Sequence, residues 1–285
     1  MTSLDSLNPA ALYSLVTVLG LLVGSFLNVV ILRMPARMMH EWRSQCHVLL
    51  DLEQSPDDAV PAGVANGRSR CPSCKQVIRW YDNIPVLSWL ILRGQCRNCD
   101  MSISIRYPSV ELLTAILSVI VIWQLGPTAA GAAGLLFTWV MIAGSGIDID
   151  HKLLPDQLTL PLIWLGLLLN LLGVFTDLES AVTGAIAGYL VLWLVFHLFR
   201  LATGKEGMGY GDFKLLSAIG AWMGWQVLPS VILLASLVGA VVGIGLIIAK
   251  RMGREVPIAF GPFLAAAGWL MLVSQGALVD RWQLL

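Results

Sequence analysis

Long apolar runs alternate with short polar breaks along most of the chain. Continuous runs lie at about 10–32, 109–126, 128–148, 158–175, 180–201, 213–227, 229–249 and 258–279. A helix needs roughly 20 apolar residues to cross a hydrocarbon core of about 30 Å, and most of these runs are long enough. Their apolar residues are contiguous rather than placed at every second position, which favours spanning helices over a β-barrel. The pattern predicts an all-α polytopic membrane protein of about eight transmembrane helices. The run at 213–227 is short and rich in Gly and Trp. One polar stretch, 33–108, is large enough to be a domain. The expected organisation is a first transmembrane helix over 1–32, a cytoplasmic domain over 33–108 and a seven-helix membrane domain over 109–285.

Composition strengthens the membrane assignment. Hydrophobic residues make up 57% of the 285 residues and charged residues only 13%, with mean hydropathy +0.76. Soluble domains carry nearly twice that charge fraction. The net charge is zero, so its distribution carries the information. With the N-terminus outside, eight spans place 33–108, 149–157, 202–212 and 250–257 in the cytoplasm. Those segments and their borders hold every Lys and Arg except Arg281. This is a positive-inside pattern, and it predicts a membrane protein with both termini on the non-cytoplasmic side. The first run lacks a basic flank before it and an evident cleavage site, so it reads as a retained span. The bilayer is an expected partner and nucleic acid is not.

The polar stretch contains an acidic loop near 51–62, "DLEQSPDDAVPA", and a cysteine-bearing part over 68–108. "CPSC" holds Cys71 and Cys74, "CRNC" holds Cys96 and Cys99, and 21 residues separate the pairs. Two such knuckles can present four thiolates to one Zn²⁺, with a short hairpin between them. Four thiolates leave no open coordination position, so the expected role is structural. A domain of about 75 residues buries little core, and a metal crosslink compensates. Cys46 stands alone and reads as a spare thiol.

Carboxylates at the ends of apolar runs are the candidate chemistry, because an ionised Asp at membrane depth is costly and usually functional. Asp148 ends the third run, in "GIDIDHKLLPD". Asp212 precedes the sixth, in "GYGDFK". The orientation puts both at the cytoplasmic face. Two carboxylates held close cannot both ionise comfortably, so one deprotonates water while the other polarises a peptide carbonyl. That is the chemistry of aspartic proteolysis. The glycines before Asp212 are expected to let a substrate backbone approach. Asp150 and Asp156 read as structural, pairing with Lys152, His151 or Lys214, with Asp156 as a helix N-cap. Spacing alone leaves Asp148 and Asp150 as alternatives.

Five segments together resemble the bacterial type IV prepilin peptidases: "GSFLNVVILRMP", "SRCPSCKQVIRWYDNIPVLSWLILRGQCRNC", "ISIRYPSVELLT", "DIDHKLLPD" and "GYGDFKL". The resemblance implies an inner-membrane aspartic peptidase with eight spans. It would cut the basic leader of type IV prepilins and type II secretion pseudopilins just after a glycine, at the cytoplasmic face. It implies Asp148 and Asp212 as the catalytic pair. Cys71, Cys74, Cys96 and Cys99 correspond to the tetracysteine module of the members that then methylate the new N-terminus with S-adenosylmethionine. Candidate contacts for that cofactor are Asn28, Gly94 and Glu111, together with Gly24, Ser25, Asp82 and Asn83. Asn28 and Glu111 are polar groups within apolar runs, which something must satisfy; helix–helix hydrogen bonding is the structural alternative.

Two other classes fit the pattern. A transporter would also use intramembrane carboxylates and glycine breaks, but the two Asp sites lie at one surface and no inverted repeat is visible. A membrane scaffold could use the cysteine module to dock partners.

Overall fold

A computed structural model describes residues 8–52, 60–65, 67–249 and 258–274. The acidic loop of 53–59 and the basic residues Lys250, Arg251, Arg254 and Arg281, which entered the orientation argument, lie outside the described residues. The chain divides into two compact units, Met1–Val119 and Ile120–Leu285.

The first unit is built on α1 (Pro9–Leu49), whose start is capped by the Asn8 side chain accepting from the Ala10 N–H at 3.0 Å. The helix does not end with its apolar run at 32. Arg33–Leu49 is polar but contains no helix-stopping glycine, and Arg37 pairs with Glu41 one turn on at 3.0 Å. Apolarity marks where lipid ends, whereas helix propagation needs only satisfied backbone. A second helix, α2 (Leu87–Ile91), lies within the cysteine-bearing part. The first half of α3 (Arg106–Leu125) packs on α1 through small residues. A Cβ on Gly20 would stand 2.6 Å from Cα of Ala115, and one on Gly24 would stand 2.6 Å from Cα of Glu111. Such contact accounts for the unit boundary falling within α3 rather than at the expected 108/109.

The second unit contains α4 (Ala129–His151), α5 (Asp156–Leu171), α6 (Leu178–Thr203), α7 (Tyr210–Met223), α8 (Leu228–Ile248) and α9 (Gly261–Ser274). Its centre is α7, buried from Asp212 to Trp222 at every position but Lys214. Buried on nearly all sides, it needs little polar face. The helix is shorter than the expected 213–227 run because Gly224, at φ +83°, stops it, and Trp225–Val227 forms a 3₁₀ turn. Gly184 of α6 and Gly220 of α7 meet backbone to backbone; a Cβ on either would lie within 2.5 Å of the other's carbonyl oxygen. Asn170 of α5 binds α7 from the other side. Its amide donates to the carbonyls of Ala221 and Trp222, both at 2.9 Å, and its oxygen accepts from Phe175 and Thr176.

Among the described residues, five helices are long and apolar enough to cross a membrane: α1, α3, α4, α6, and α8 with the 3₁₀ turn before it. Two shorter apolar helices, α5 and α9, bring further runs. Each of the eight expected runs contains a helix. The protein is an all-α polytopic membrane protein.

Candidate active site and metal centre

Asp148 lies in the last turns of α4 and Asp212 in the first turn of α7. Both are buried, at 6% and 7% exposure, while Asp150 is exposed. Lys152 ends α4 in the left-handed region at φ +56°, and its N–H donates to the Asp148 carbonyl at 2.9 Å. The Asp148 carboxylate accepts through Oδ2 from the backbone N–H of Gly261, the first residue of α9, at 3.0 Å. That N–H has no partner within its own helix, so the carboxylate completes the N-terminus of α9. Asp212 occupies the corresponding end of α7, three residues after the N-cap Gly209. The two carboxylates are close enough for the charge of Asp148 to act on Asp212.

Leu154, in the turn between α4 and α5, packs against this pair's surroundings. A Cβ on Gly211 would come within 2.7 Å of the Leu154 Cβ; one on Gly261 would come within 3.0 Å of Cδ1, and one on Gly144 within 3.4 Å of Cδ2. Gly211 therefore makes room for the chain's own Leu154 rather than for a substrate backbone, as the G-x-G-D motif had suggested. Gly209 remains open, with nothing nearer than 3.9 Å to a Cβ there. Asp156 is not an N-cap: Pro155 holds that position, and Asp156, the first helical residue, pairs with Lys214 of α7 at 2.5 Å. Sequence reasoning missed Gly261 and Leu154. The only local signals are a Gly-Pro near the head of the last run and the Leu153–Leu154 pair in the short turn after α4.

In the first unit, Cys71, Cys74, Cys96 and Cys99 bring their sulfurs within 4.8 Å of one another. The two pairs are copies of one local structure. Cys71 N–H donates to the Gln76 carbonyl and Lys75 N–H to the Cys71 carbonyl; Cys96, Met101 and Asp100 repeat this. Lys75 and Asp100 both adopt positive φ, and the bridges Arg70–Val77 and Gln95–Ser102 close each knuckle. Between the knuckles the chain forms a 3₁₀ turn, Trp80–Asn83, and α2 instead of the expected hairpin. Backbone N–H groups point at the sulfurs. The N–H of Gln76, then the Asn98 side chain, hold the Cys74 thiol down to about 6, and Cys96 is lowered by the N–H groups of Asn98 and Cys99. Cys99 receives the Met101 N–H, but desolvation and the neighbouring sulfurs outweigh it and push its thiol up to about 11. Tetrahedral Zn–S bonds of about 2.3 Å place sulfurs about 3.8 Å apart; Cys71 and Cys99 stand at 3.7 Å. The cluster can hold a metal ion.

Two family models match the chain in sequence order. The Bacterial Peptidase A24 N-terminal domain covers residues 18–125, and the Type IV leader peptidase family covers 135–244. The chain belongs to the type IV leader peptidase family.

Within that family its relatives align over almost their whole lengths. A prepilin leader peptidase/N-methyltransferase of Aeromonas hydrophila is 54% identical, covering 97% of this chain and 95% of the relative. The protein of that name in Stutzerimonas stutzeri is also 54% identical, over 93% and 92%. That of Neisseria gonorrhoeae is 46% identical over 99% and 98%. No solved structure matches the chain.

The residues expected to contact S-adenosylmethionine all lie in the first unit. Asn28 donates its amide to the carbonyls of Tyr107 at 3.1 Å and Gly24 at 3.3 Å. Glu111 accepts from the Val86 N–H at 2.7 Å and from Ser25. Gly94 is enclosed by the Trp89 ring at φ +70°. Asn28 and Glu111 therefore join backbone segments of the first unit. Asp82 is held by Arg97 in a bidentate pair at 2.7 Å.

Proposed function

We propose that this protein is a leader peptidase and N-methyltransferase acting on prepilins and pseudopilins, with Asp148 and Asp212 as the carboxyl groups of the peptidase. The observation that carries the reading is the burial of both side chains, one at the end of α4 and one at the start of α7, with the charge of Asp148 in reach of Asp212. Exposure of Asp150 favours Asp148 as the partner of Asp212.

The chain's own groups suffice for the cut. Gly261 orients Asp148, and buried Leu154 packs beside Gly261 and Gly211 next to the two carboxylates. One carboxylate takes a proton from the attacking water while the other gives its proton to the peptide carbonyl. The two roles exchange as the intermediate collapses and the amine leaves. The open backbone at Gly209 offers the substrate chain a path to the pair. The positive-inside pattern supports an inner-membrane location with this site at the cytoplasmic face and both termini periplasmic.

The metal is zinc on this reading, because four thiolates gathered within 4.8 Å of one another suit it. When bound it crosslinks the two knuckles. Methylation is supported by the relatives' shared name. S-adenosylmethionine would supply the methyl group, and no step is assigned to Asn28, Gly94 or Glu111.

The test is incubation of purified protein in lipid with a leader-bearing pilin, read by mass. Loss of a leader peptide followed by gain of one methyl is expected. Asp148→Asn and Asp212→Asn should abolish the first change while inserting normally, whereas Asp150→Asn should cut. Cutting by Asp148→Asn would remove it from the reaction.

A further inference from the structure

The cysteine module carries its apolar side chains outward. In α2, Leu87, Leu90 and Ile91 share one face and are 51%, 58% and 66% exposed; Trp80 in the preceding turn is 80% exposed. The inward positions are the polar ones. Ser88 is buried, its hydroxyl donating to the Ile84 and Tyr81 carbonyls, and Trp89 donates its indole N–H to the Ile103 carbonyl at 3.0 Å. Polar inside and apolar outside reverses the pattern of a helix facing water.

Position supplies the second observation. Val86, the residue before α2, gives its N–H to Glu111 of α3. Glu111 lies five residues beyond Arg106, which opens that helix, so roughly 7–8 Å along it. The Arg106–Leu125 helix is itself long and apolar enough to cross the bilayer, with Leu112, Leu113 and Ile116 exposed along it. The bond pins the start of α2 level with this lipid-facing stretch. It also holds Val86 at φ +59°, a conformation a β-branched residue adopts only when constrained. Surface-lying amphipathic helices bury their apolar face about 5–10 Å into the headgroup boundary, the same depth. Exposed Arg79 and Arg93 flank the segment along the chain, as cations do where lipid phosphates are near.

We propose that Trp80–Ile91 is an interfacial membrane anchor. Leu87, Leu90, Ile91 and Trp80 enter the acyl boundary, while Arg79 and Arg93 stay at the phosphates. The anchor gives the cysteine module a lipid contact in addition to its attachments at α1 and α3, and it does not depend on the peptidase reading.

The test uses the full chain in vesicles of phosphatidylethanolamine and phosphatidylglycerol. With Leu90 or Ile91 replaced by p-benzoylphenylalanine, irradiation should give phospholipid adducts as abundant as those from Leu113 on α3. The exposed knuckle position Asn98 should give almost none. In the unmodified protein, a phospholipid with an acyl-chain diazirine should label the peptide containing residues 84–91. Labelling confined to the spanning helices overturns the proposal. So do crosslinks from position 90 or 91 to a second copy or to added prepilin in place of lipid.

Discussion

Gly261 holds Asp148: its N–H reaches Oδ2 at 3.0 Å, and the absence of a side chain on Gly261 is what admits the carboxylate, since a Cβ there would stand 2.7 Å from the same oxygen. A buried acid at the end of one helix is thereby oriented by the start of another. The family models stop at residue 244, short of this contact.

Gly261→Ala should displace the Asp148 carboxylate without removing it. A misplacement near 1 Å at a reacting group costs roughly 100-fold in rate. The expected result is a fall of that order in kcat for leader cleavage, with KM changed little. Unchanged kcat in the purified variant would mean that the orientation of Asp148 is set elsewhere.

Leu154 and Gly211 form a complementary pair. Gly211→Ala brings a methyl within 2.7 Å of the Leu154 Cβ and should impair cleavage by shifting the start of α7, where Asp212 sits. Leu154→Ala removes a buried side chain at a cost of about 2–5 kcal/mol. The Leu154 Cβ remains in Leu154→Ala, so Leu154→Gly is the partner that frees the space. Leu154→Gly with Gly211→Ala should recover part of the activity lost by Gly211→Ala alone. A cycle of rates on the four proteins measures this; additive losses would mean that the two positions act separately.

How much of this was legible in the sequence depends on which constraint wrote it. Lipid demands contiguous apolar residues, so the runs behind α3, α4, α6 and α8 stand out unaided. The extension of α1 to Leu49 does not, because hydropathy marks the lipid boundary and the helix continues past it. The α7 helix is hard to read for the opposite reason: it is wrapped by protein, so Gly, Ser and Ala serve as well as Leu. The cysteines carry their spacing openly. Asp148 and Asp150 differ in burial only through elements distant in the chain, and no local pattern contains that information. Gly261 and Leu154 matter for the same reason.

Metal retention should depend on pH in one direction. Thiolates bind the metal, so protons compete with it. Without metal, Cys74 is a thiolate above about 6, whereas Cys99 keeps its proton until about 11. Binding near neutral pH must therefore expel at least the Cys99 proton, and affinity should rise with pH through this range and fall below 6. Metal content after dialysis against a weak chelator at pH 5, 7 and 8 should increase in that order, with one metal per chain at the top. Cys99→Ser should reduce retention throughout. Flat retention across these values would contradict a thiolate site.

Asn170 tests how the core supports the site. It is 2% exposed and satisfies four backbone groups at once, two carbonyls at the end of α7 and two N–H groups beyond α5. Each buried group left unpaired costs about 1–3 kcal/mol. Asn170→Ala should therefore lower the unfolding midpoint in detergent by several degrees. Asn170→Asp keeps the two acceptor bonds but aims a second oxygen at the Ala221 and Trp222 carbonyls, where repulsion replaces attraction. It should be the less stable of the two variants despite its closer shape, and its cleavage rate should fall with it, because α7 carries Asp212 at its other end. An Asp variant as stable as wild type would mean that the α5–α7 contact rests on the Trp222 packing and its indole bond to the Leu162 carbonyl instead.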